Sequence, residues 1–423
     1  MNLFLYNFAM FLLLPFIAIR ILFRSLRDKD YRANFSNRFG LYKNKFEINN
    51  VVWFHAVSLG EVIASQRIVK TISEEYDVVL SVSTPTALRE AKKIFESNIE
   101  IVYAPWDFSI LVSNFYKTYK PIALILFETE IWPNMIDKAF NKKVPVVLCN
   151  GRMSDSSYRR YRGFKSLSQK TLNKISFLFV QSNSHLERFH SLGLPKSKIK
   201  NVGSVKFDID VLDIKDNVNN QIILAASTHK KEDELITQAY KELKNEIHDL
   251  KLIIAPRHPE RAETIKTSIA KMNMKSTICT SLPSEINHND NDIAIVSATG
   301  LLKDLYSIST IAFVGGSLFK EYGGHNIIEP AAQRCPFVVG PYMKNFEDIL
   351  ENFIQNKGCI QINNKKDLVN AFKALLNDEQ LRDDMSTRAA EVCMKSKGSS
   401  QEQCTTILKI IRGDKIEISN SNN

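Results

Sequence analysis

Acidic side chains stand just past two apolar runs of this 423-residue chain. Glu61 comes three residues after the run 51–58 (VVWFHAVS), while Glu128 and Glu130 directly follow 121–127 (PIALILF). A carboxylate at a strand-to-helix turn is placed to take a proton from an attacking hydroxyl. The partial positive charge of the helix start that follows Ser58-Leu59-Gly60 is expected to favour its ionised form. The same residue also fits an ordinary first-turn acid. Glu128 and Glu130 read either as site carboxylates or as acids capping the helix that Pro133 opens, because carboxylates beside a buried strand must be solvated, paired or used.

A second group of residues suits an anionic ligand. Arg257 follows the run 251–255 (KLIIA), and its planar fork of donors matches a phosphate. Phe313-Val314-Gly315-Gly316-Ser317 leads to Gly323-Gly324-His325-Asn326-Ile327-Ile328-Glu329. Glycines past a strand let backbone approach a ligand, and a helix start offers N–H groups to a phosphate. Glu329 is then positioned to accept from ribose hydroxyls. These glycines equally suit tight turns.

The elements that would carry these residues are legible as short apolar runs between helix-length periodic stretches. One series comprises 51–58, 77–83, 121–127, 144–149 and 176–181; a second comprises 221–226, 251–255, 292–296, 310–314 and 336–339. This is the rhythm of buried parallel strands in βαβ units, and it restarts after a polar segment at 203–220 that reads as a hinge. The expectation is α/β, two doubly wound Rossmann-like domains facing a cleft, since ligands in such sheets sit beyond the strand carboxyl ends. The boundaries read as 1–28 for a membrane anchor, 29–212 for the first Rossmann-like domain, 213–412 for the second and 413–423 for a tail. Segments 365–395 and 400–412 read as closing amphipathic helices.

Residues 3–23 are apolar except for Tyr6, Asn7 and Arg20, long enough to cross ~30 Å of hydrocarbon. Arg24, Arg27, Lys29 and Arg32 follow, which by the positive-inside tendency keeps the next domain cytoplasmic. Membrane attachment follows; with Pro15 inside and Arg20 shortening the uncharged run, a helix lying in the membrane surface stays open, and a buried helix of a soluble domain is the lesser alternative.

Hydrophobic residues make up 44% and charged residues 24%, which excludes a disordered or polytopic chain. The net charge of +10 favours polyanions, whether anionic lipid, phosphorylated substrate or nucleic acid. Arg159 and Arg160 belong to a basic run, 158–162, suited to a membrane surface. Six scattered cysteines form no CxxC pair, so neither a zinc site nor a disulfide framework is expected.

Several motifs in order resemble the Kdo (3-deoxy-D-manno-octulosonic acid) transferases of lipid A biosynthesis, glycosyltransferases of the GT-B type. They are His55-Ala56-Val57-Ser58-Leu59-Gly60-Glu61, Phe127-Glu128-Thr129-Glu130-Ile131-Trp132-Pro133-Asn134, Asn150-Gly151-Arg152-Met153-Ser154 and Gly203-Ser204-Val205-Lys206-Phe207-Asp208. The resemblance implies Glu61 as proton acceptor, with Glu128 and Lys206 stabilising the transition state. It also implies CMP contacts from Pro256-Arg257, Thr299-Gly300-Leu301 and Asn326-Ile327-Ile328-Glu329, although Leu301 stands where an acidic residue is expected. Ser58, Gly60, Arg152, Arg159 and Arg160 become candidates for acceptor binding. The implied reaction is inverting transfer of Kdo from CMP-Kdo to the 6′-hydroxyl of the tetraacylated lipid A precursor, with no cofactor, no metal and no nucleic-acid partner. The competing readings are another GT-B enzyme, such as a lipid-linked glycosyltransferase or nucleotide-sugar epimerase, and a non-enzymatic binder of anionic lipid or nucleic acid.

Overall fold

The computed structural model describes residues 2–32, 34–43, 50–95, 99–213, 221–282 and 293–414. They divide into two compact units, Met1–Asp208 with Gly398–Asn423, and Ile209–Lys397. Residues 214–220 of the expected hinge and 415–423 of the expected tail lie outside the described residues.

In the first unit the strands are β1 (Val51–His55), β2 (Asp77–Val82), β3 (Ile99–Tyr103), β4 (Ala123–Phe127), β5 (Val146–Gly151), β6 (Phe177–Val180) and β7 (Ile199–Asn201). They pair in parallel in the order β3-β2-β1-β4-β5-β6-β7. Helices α1 (Leu3–Arg27), α2 (Leu59–Ser73), α3 (Pro85–Ile94), α4 (Ser109–Tyr119), α5 (Pro133–Asn141), α6 (Asp155–Gly163), α7 (Lys165–Leu172) and α8 (Asn183–Ser191) accompany them. Side chains alternate across the sheet, so Val51 and Trp53 join one core while Val52 and Phe54 join the other. That two-sided burial explains why β1, β4 and β5 read as unbroken apolar runs. The strand order reverses between β1 and β4, the kind of switch point beyond whose strand carboxyl ends doubly wound sheets hold ligands.

The second unit repeats the plan. It contains α9 (Glu232–Lys244), α10 (Ala262–Lys271), α11 (Leu302–Ile308), α12 (Ile328–Ala332), α13 (Glu347–Gln355), α14 (Lys365–Asn377) and α15 (Glu379–Lys395). Its strands are β8 (Ile222–Thr228), β9 (Lys251–Pro256), β10 (Thr277–Cys279), β11 (Ile293–Val296), β12 (Ile311–Val314), β13 (Phe337–Val339) and β14 (Ile360–Gln361). All pair in parallel, in the order β10-β11-β9-β8-β12-β13-β14, with the reversal between β8 and β12.

Three sequence expectations change. The last helix, α16 (Ser399–Arg412), belongs to the first unit, where Cys404 and Ile407 enter the core formed with Ile68, Val69 and Ile72. The chain leaves that unit between Asp208 and Ile209 and returns at Gly398, so a boundary running to 412 is wrong. The stretch 365–395 is two helices, because Asp378 ends α14 in extended backbone and its side chain then accepts the Leu381 N–H to cap α15. The anchor segment 1–28 is not separate from the domain after it, for α1 belongs to the first unit.

Candidate active site

Ser58 caps α2, and with Glu61 three residues on it forms a variant of the capping box, in which the acid binds back to the turn that precedes the helix. The Glu61 carboxylate accepts the Val57 N–H at 2.8 Å and the Ser58 hydroxyl at 2.8 Å. Gly60 faces open space, leaving the helix start uncovered. Glu128, the first residue past β4, takes a left-handed backbone with φ 56°, uncommon for a residue with a side chain and strained unless its surroundings hold it. Its N–H donates to Cys149 O at 2.9 Å. Glu130 accepts from the Trp132 indole at 2.6 Å.

These acids act on one another. Burial pushes the Glu61 carboxyl up to about 8, and Glu130 and then Glu128 add to the rise, against the Val57 and Ser58 donors. Burial likewise raises Glu130 to about 7. Desolvation and two carboxylate neighbours thus oppose the ionised form that the helix start was expected to favour. A base with that value is matched to an attacking hydroxyl near neutral pH.

Lys206 supplies the positive charge, its Nζ lying 3.7 Å from Glu128 Oε1. The turn that carries it is set from two sides. Asn150, buried at the end of β5, accepts the Val205 N–H, and its own N–H donates to Gln403 of α16. Asp208 accepts from the N–H groups of Gly398 and Ser400, which ties the end of the lysine turn to the start of that helix. Asn150 stood in a motif of the resemblance without a role, and Gln403 in none, because their partners are far along the chain. Arg152 follows β5, and its carbonyl accepts the Thr129 hydroxyl beside Glu128. Arg159 and Arg160 are exposed on α6, a helix without a buried residue.

In the second unit Pro256 ends β9 buried and Arg257 is exposed, its N–H donating to Thr228 O at 3.0 Å. Asn326 Oδ1 accepts the Ile328 N–H and its amide donates to Glu329 at 2.9 Å. Burial raises the Glu329 carboxyl, while Asn326 and Arg257 oppose the rise. Ile327 and Ile328 are fully buried, so any ligand contact there is through backbone. Thr299 and Gly300 are exposed in the loop after β11, and Leu301 precedes α11. The Ser297 hydroxyl donates to Pro259 O at 3.4 Å, joining the end of β11 to the turn after Arg257.

The amides of the glycine loop are taken up inside the protein, which agrees with the tight-turn reading of these glycines. The buried Glu232 carboxylate already accepts the N–H groups of Gly316 at 2.7 Å and of Ser317 and Leu318 at 3.0 Å. Glycine at 316 is required by the His325 ring, which a Cβ there would meet at 2.8 Å on a backbone with φ +69°. His325 Nε2 in turn lies 2.8 Å from His229 Nε2, and the His229 ring stacks on Tyr322 at 3.8 Å. Burial first, then neighbouring His and Arg groups, lower both imidazoles to about 4. His229 follows β8 just as Arg257 follows β9, a positional signal the sequence contains. Among the described residues, no three or more His, Cys, Asp or Glu side chains are grouped to hold a metal ion.

Residues 33–209 match the family 3-Deoxy-D-manno-octulosonic-acid transferase (kdotransferase), and residues 205–392 match Glycosyl transferases group 1. The 3-deoxy-D-manno-octulosonic acid transferase of Haemophilus influenzae is 32% identical over 417 residues, covering 94% of this chain and 96% of its own length. The chain belongs to the Kdo transferase family. It is a Kdo-transferring glycosyltransferase. Solved structures place the fold: a Rickettsia africae glycosyltransferase is 15% identical with a TM-score of 0.57, covering 88% of this chain and 100% of its own. The UDP-GlcNAc 2-epimerase of Neisseria meningitidis is 12% identical with a TM-score of 0.58, covering 85% and 100%. At such identities the likeness defines a GT-B fold and leaves the reaction to the family. In this Kdo transferase the acids at the β1/β4 reversal and the basic group at the β9 end are the elements that chemistry can use.

Proposed function

We propose that the enzyme moves Kdo from CMP-Kdo to the 6′-hydroxyl of the tetraacylated lipid A precursor, lipid IVA, with inversion at the anomeric carbon. The observation that carries this reading is the Glu61 carboxyl, buried in the first turn of α2 with its value raised to about 8 by burial, Glu130 and Glu128, while Lys206 pairs with Glu128. Glu61 takes the proton of the attacking hydroxyl as the new C–O bond forms and the bond to the CMP phosphate breaks. One displacement by one oxygen inverts the centre. Glu128 offsets positive charge developing on the sugar ring, and Lys206 offsets the Kdo carboxylate or the departing phosphate.

In the second unit Arg257, with Pro256, Thr299-Gly300-Leu301 and Asn326-Ile327-Ile328-Glu329, holds CMP. The leaving group departs as a phosphate anion, so the reaction is read as independent of a metal or cofactor. Ser58, Gly60, Arg152, Arg159 and Arg160 face the lipid acceptor at the cytoplasmic side of an anionic inner membrane, where α1 attaches the enzyme; nucleic acid is not a partner.

Incubation with CMP-Kdo and tetraacyl disaccharide bisphosphate, followed by mass spectrometry of the lipid, is expected to show a Kdo-sized gain in mass. Magnetic resonance of the product assigns its anomeric configuration. An unmodified lipid beside consumed CMP-Kdo overturns the acceptor.

A further inference from the structure

The sequence left α1 free to cross a bilayer or to lie in its surface, and the residues it touches distinguish the two. Leu3–Leu26 is long and apolar enough to span. Its half-covered positions nevertheless recur as Leu3, Tyr6, Met10, Leu14, Ile17 and Ile21, ending at buried Ser25, which is one stripe along the whole helix. The other side is bare: Phe4, Phe8, Phe11, Phe16, Ile19 and Phe23 are each at least half exposed.

The two ends of the stripe are fastened to the same unit. Near the start, the Tyr6 hydroxyl donates to Asp107 Oδ2 at 2.9 Å, and the Asn134 amide donates to Asn7 Oδ1 at 2.9 Å. Asp107 is 1% exposed and also accepts the N–H groups of Asn134 and Met135 at 3.0 and 2.9 Å. Near the other end, Arg32 Nε donates to Ser25 Oγ at 3.1 Å, and Arg89 of α3 pairs with Asp28 and Asp30 just past the helix. A spanning helix would carry Tyr6 about 28 Å from Ser25, across the hydrocarbon, where Asp107 and Asn134 on the globular unit could not follow.

We infer that α1 is an in-plane helix: its bare phenylalanine face is the docking surface of the first unit on an anionic lipid bilayer, and the chain does not cross it. The charge around that face fits anionic headgroups. Arg20 and Arg24 are exposed on α1 itself, and Arg159, Arg160 and Arg162 are exposed on α6. Tyr161 of α6 is within electrostatic reach of both Tyr6 and Glu130, so the fastened start of α1 lies on the side of the unit that carries the candidate acids. A lipid acceptor then meets those acids while its acyl chains stay in the leaflet. An apolar groove of about 430 Å³, lined by Ala18, Leu22, Tyr31 and Phe35 among others, runs beside the carboxyl half of the helix. The inference rests on the proposed membrane attachment and on no property of the donor.

The test uses the full chain in inside-out membrane vesicles, with Asn2→Cys or Lys93→Cys added singly and the labelled peptide identified by mass spectrometry. Lys93 is an exposed residue of α3 and serves as the cytoplasmic reference. A membrane-impermeant maleimide is expected to label both positions to the same extent, with no gain at Asn2→Cys on lysis. Phe11→Trp and Phe23→Trp are expected to be quenched alike by lipids brominated near the headgroup, as for a helix ~5–10 Å deep. Labelling of Asn2→Cys only after lysis overturns the inference in favour of a spanning helix. A chain that stays soluble with phosphatidylethanolamine–phosphatidylglycerol vesicles overturns it in favour of a protein face. None of these readouts needs CMP-Kdo or an acceptor, so a failure of the proposed transfer reaction is seen separately.

Discussion

At the scale of single residues, the question is why an acid held by two donors at a helix start has a raised rather than a lowered value. The answer is the company it keeps: burial at 9% exposure, then Glu130, then Glu128. A general base must be deprotonated to act, so transfer is expected to climb as pH rises through about 8 and to fall below it. Glu130→Gln removes one repelling carboxylate and should move that limb down by about half to one pH unit, measured as kcat/KM against pH. An unmoved limb would show that another group titrates. Glu61→Gln should lower transfer about 10²–10⁴-fold. It should also stabilise the unit in alkali. A carboxyl raised from 4.5 to about 8 loses folding free energy as pH rises between those values and loses no more above them. The glutamine variant escapes that loss, whose ceiling is about 5 kcal/mol, and denaturation at pH 6 and pH 9 compares the two. Glu61 and Ser58 were legible as S-x-x-E after a strand, but the raised value was not, because it depends on Glu130 reaching the same place from another strand.

At the scale of elements, the central strands were legible because two-sided burial leaves unbroken apolar runs, and the edges were not. β3 carries Glu100, whose carboxylate accepts the Tyr119 hydroxyl at 3.0 Å, and β7 reads Ile-Lys-Asn; neither has the apolar signature. The glycine loop after β12 was legible as a loop, with tight turn and ligand approach both open, but its filling acid was not, since Glu232 arrives from α9, more than eighty residues earlier. Glu232→Ala would leave the N–H groups of Gly316, Ser317 and Leu318 without their acceptor inside the protein. With about 1–3 kcal/mol for each buried donor left unpaired, the second unit should lose roughly 3 kcal/mol or more, and nucleotide binding with it. Glu232→Gln keeps one acceptor oxygen and should lose less. Denaturant titration followed with CMP bound and free checks the order, and equal stability of the two variants would remove the carboxylate's role as loop filler.

At the scale of the whole molecule, the course of the chain decides what depends on what. The second unit is inserted into the first, which closes only when α16 returns with Gln403 on Asn150 and Asp208 on Gly398 and Ser400. Nothing local in 399–412 reveals this, as an amphipathic helix reads the same on either domain. Each unit has its own hydrophobic core, so heating should give separable transitions. Ending the chain after Lys397 removes Cys404 and Ile407 from the first unit's core and takes away the Gln403 acceptor of the Asn150 N–H and the Gly398 and Ser400 donors of Asp208. That truncation should lower the melting of the first unit and abolish transfer while leaving CMP binding in the second. CMP at a hundred times its dissociation constant then adds about 2.7 kcal/mol to the second transition alone, in the full and the shortened chain equally, and Arg257→Ala removes that gain. Were truncation instead to lower the CMP-responsive transition, the last helix would belong to the nucleotide unit after all, and Lys206 would owe its position to something other than α16.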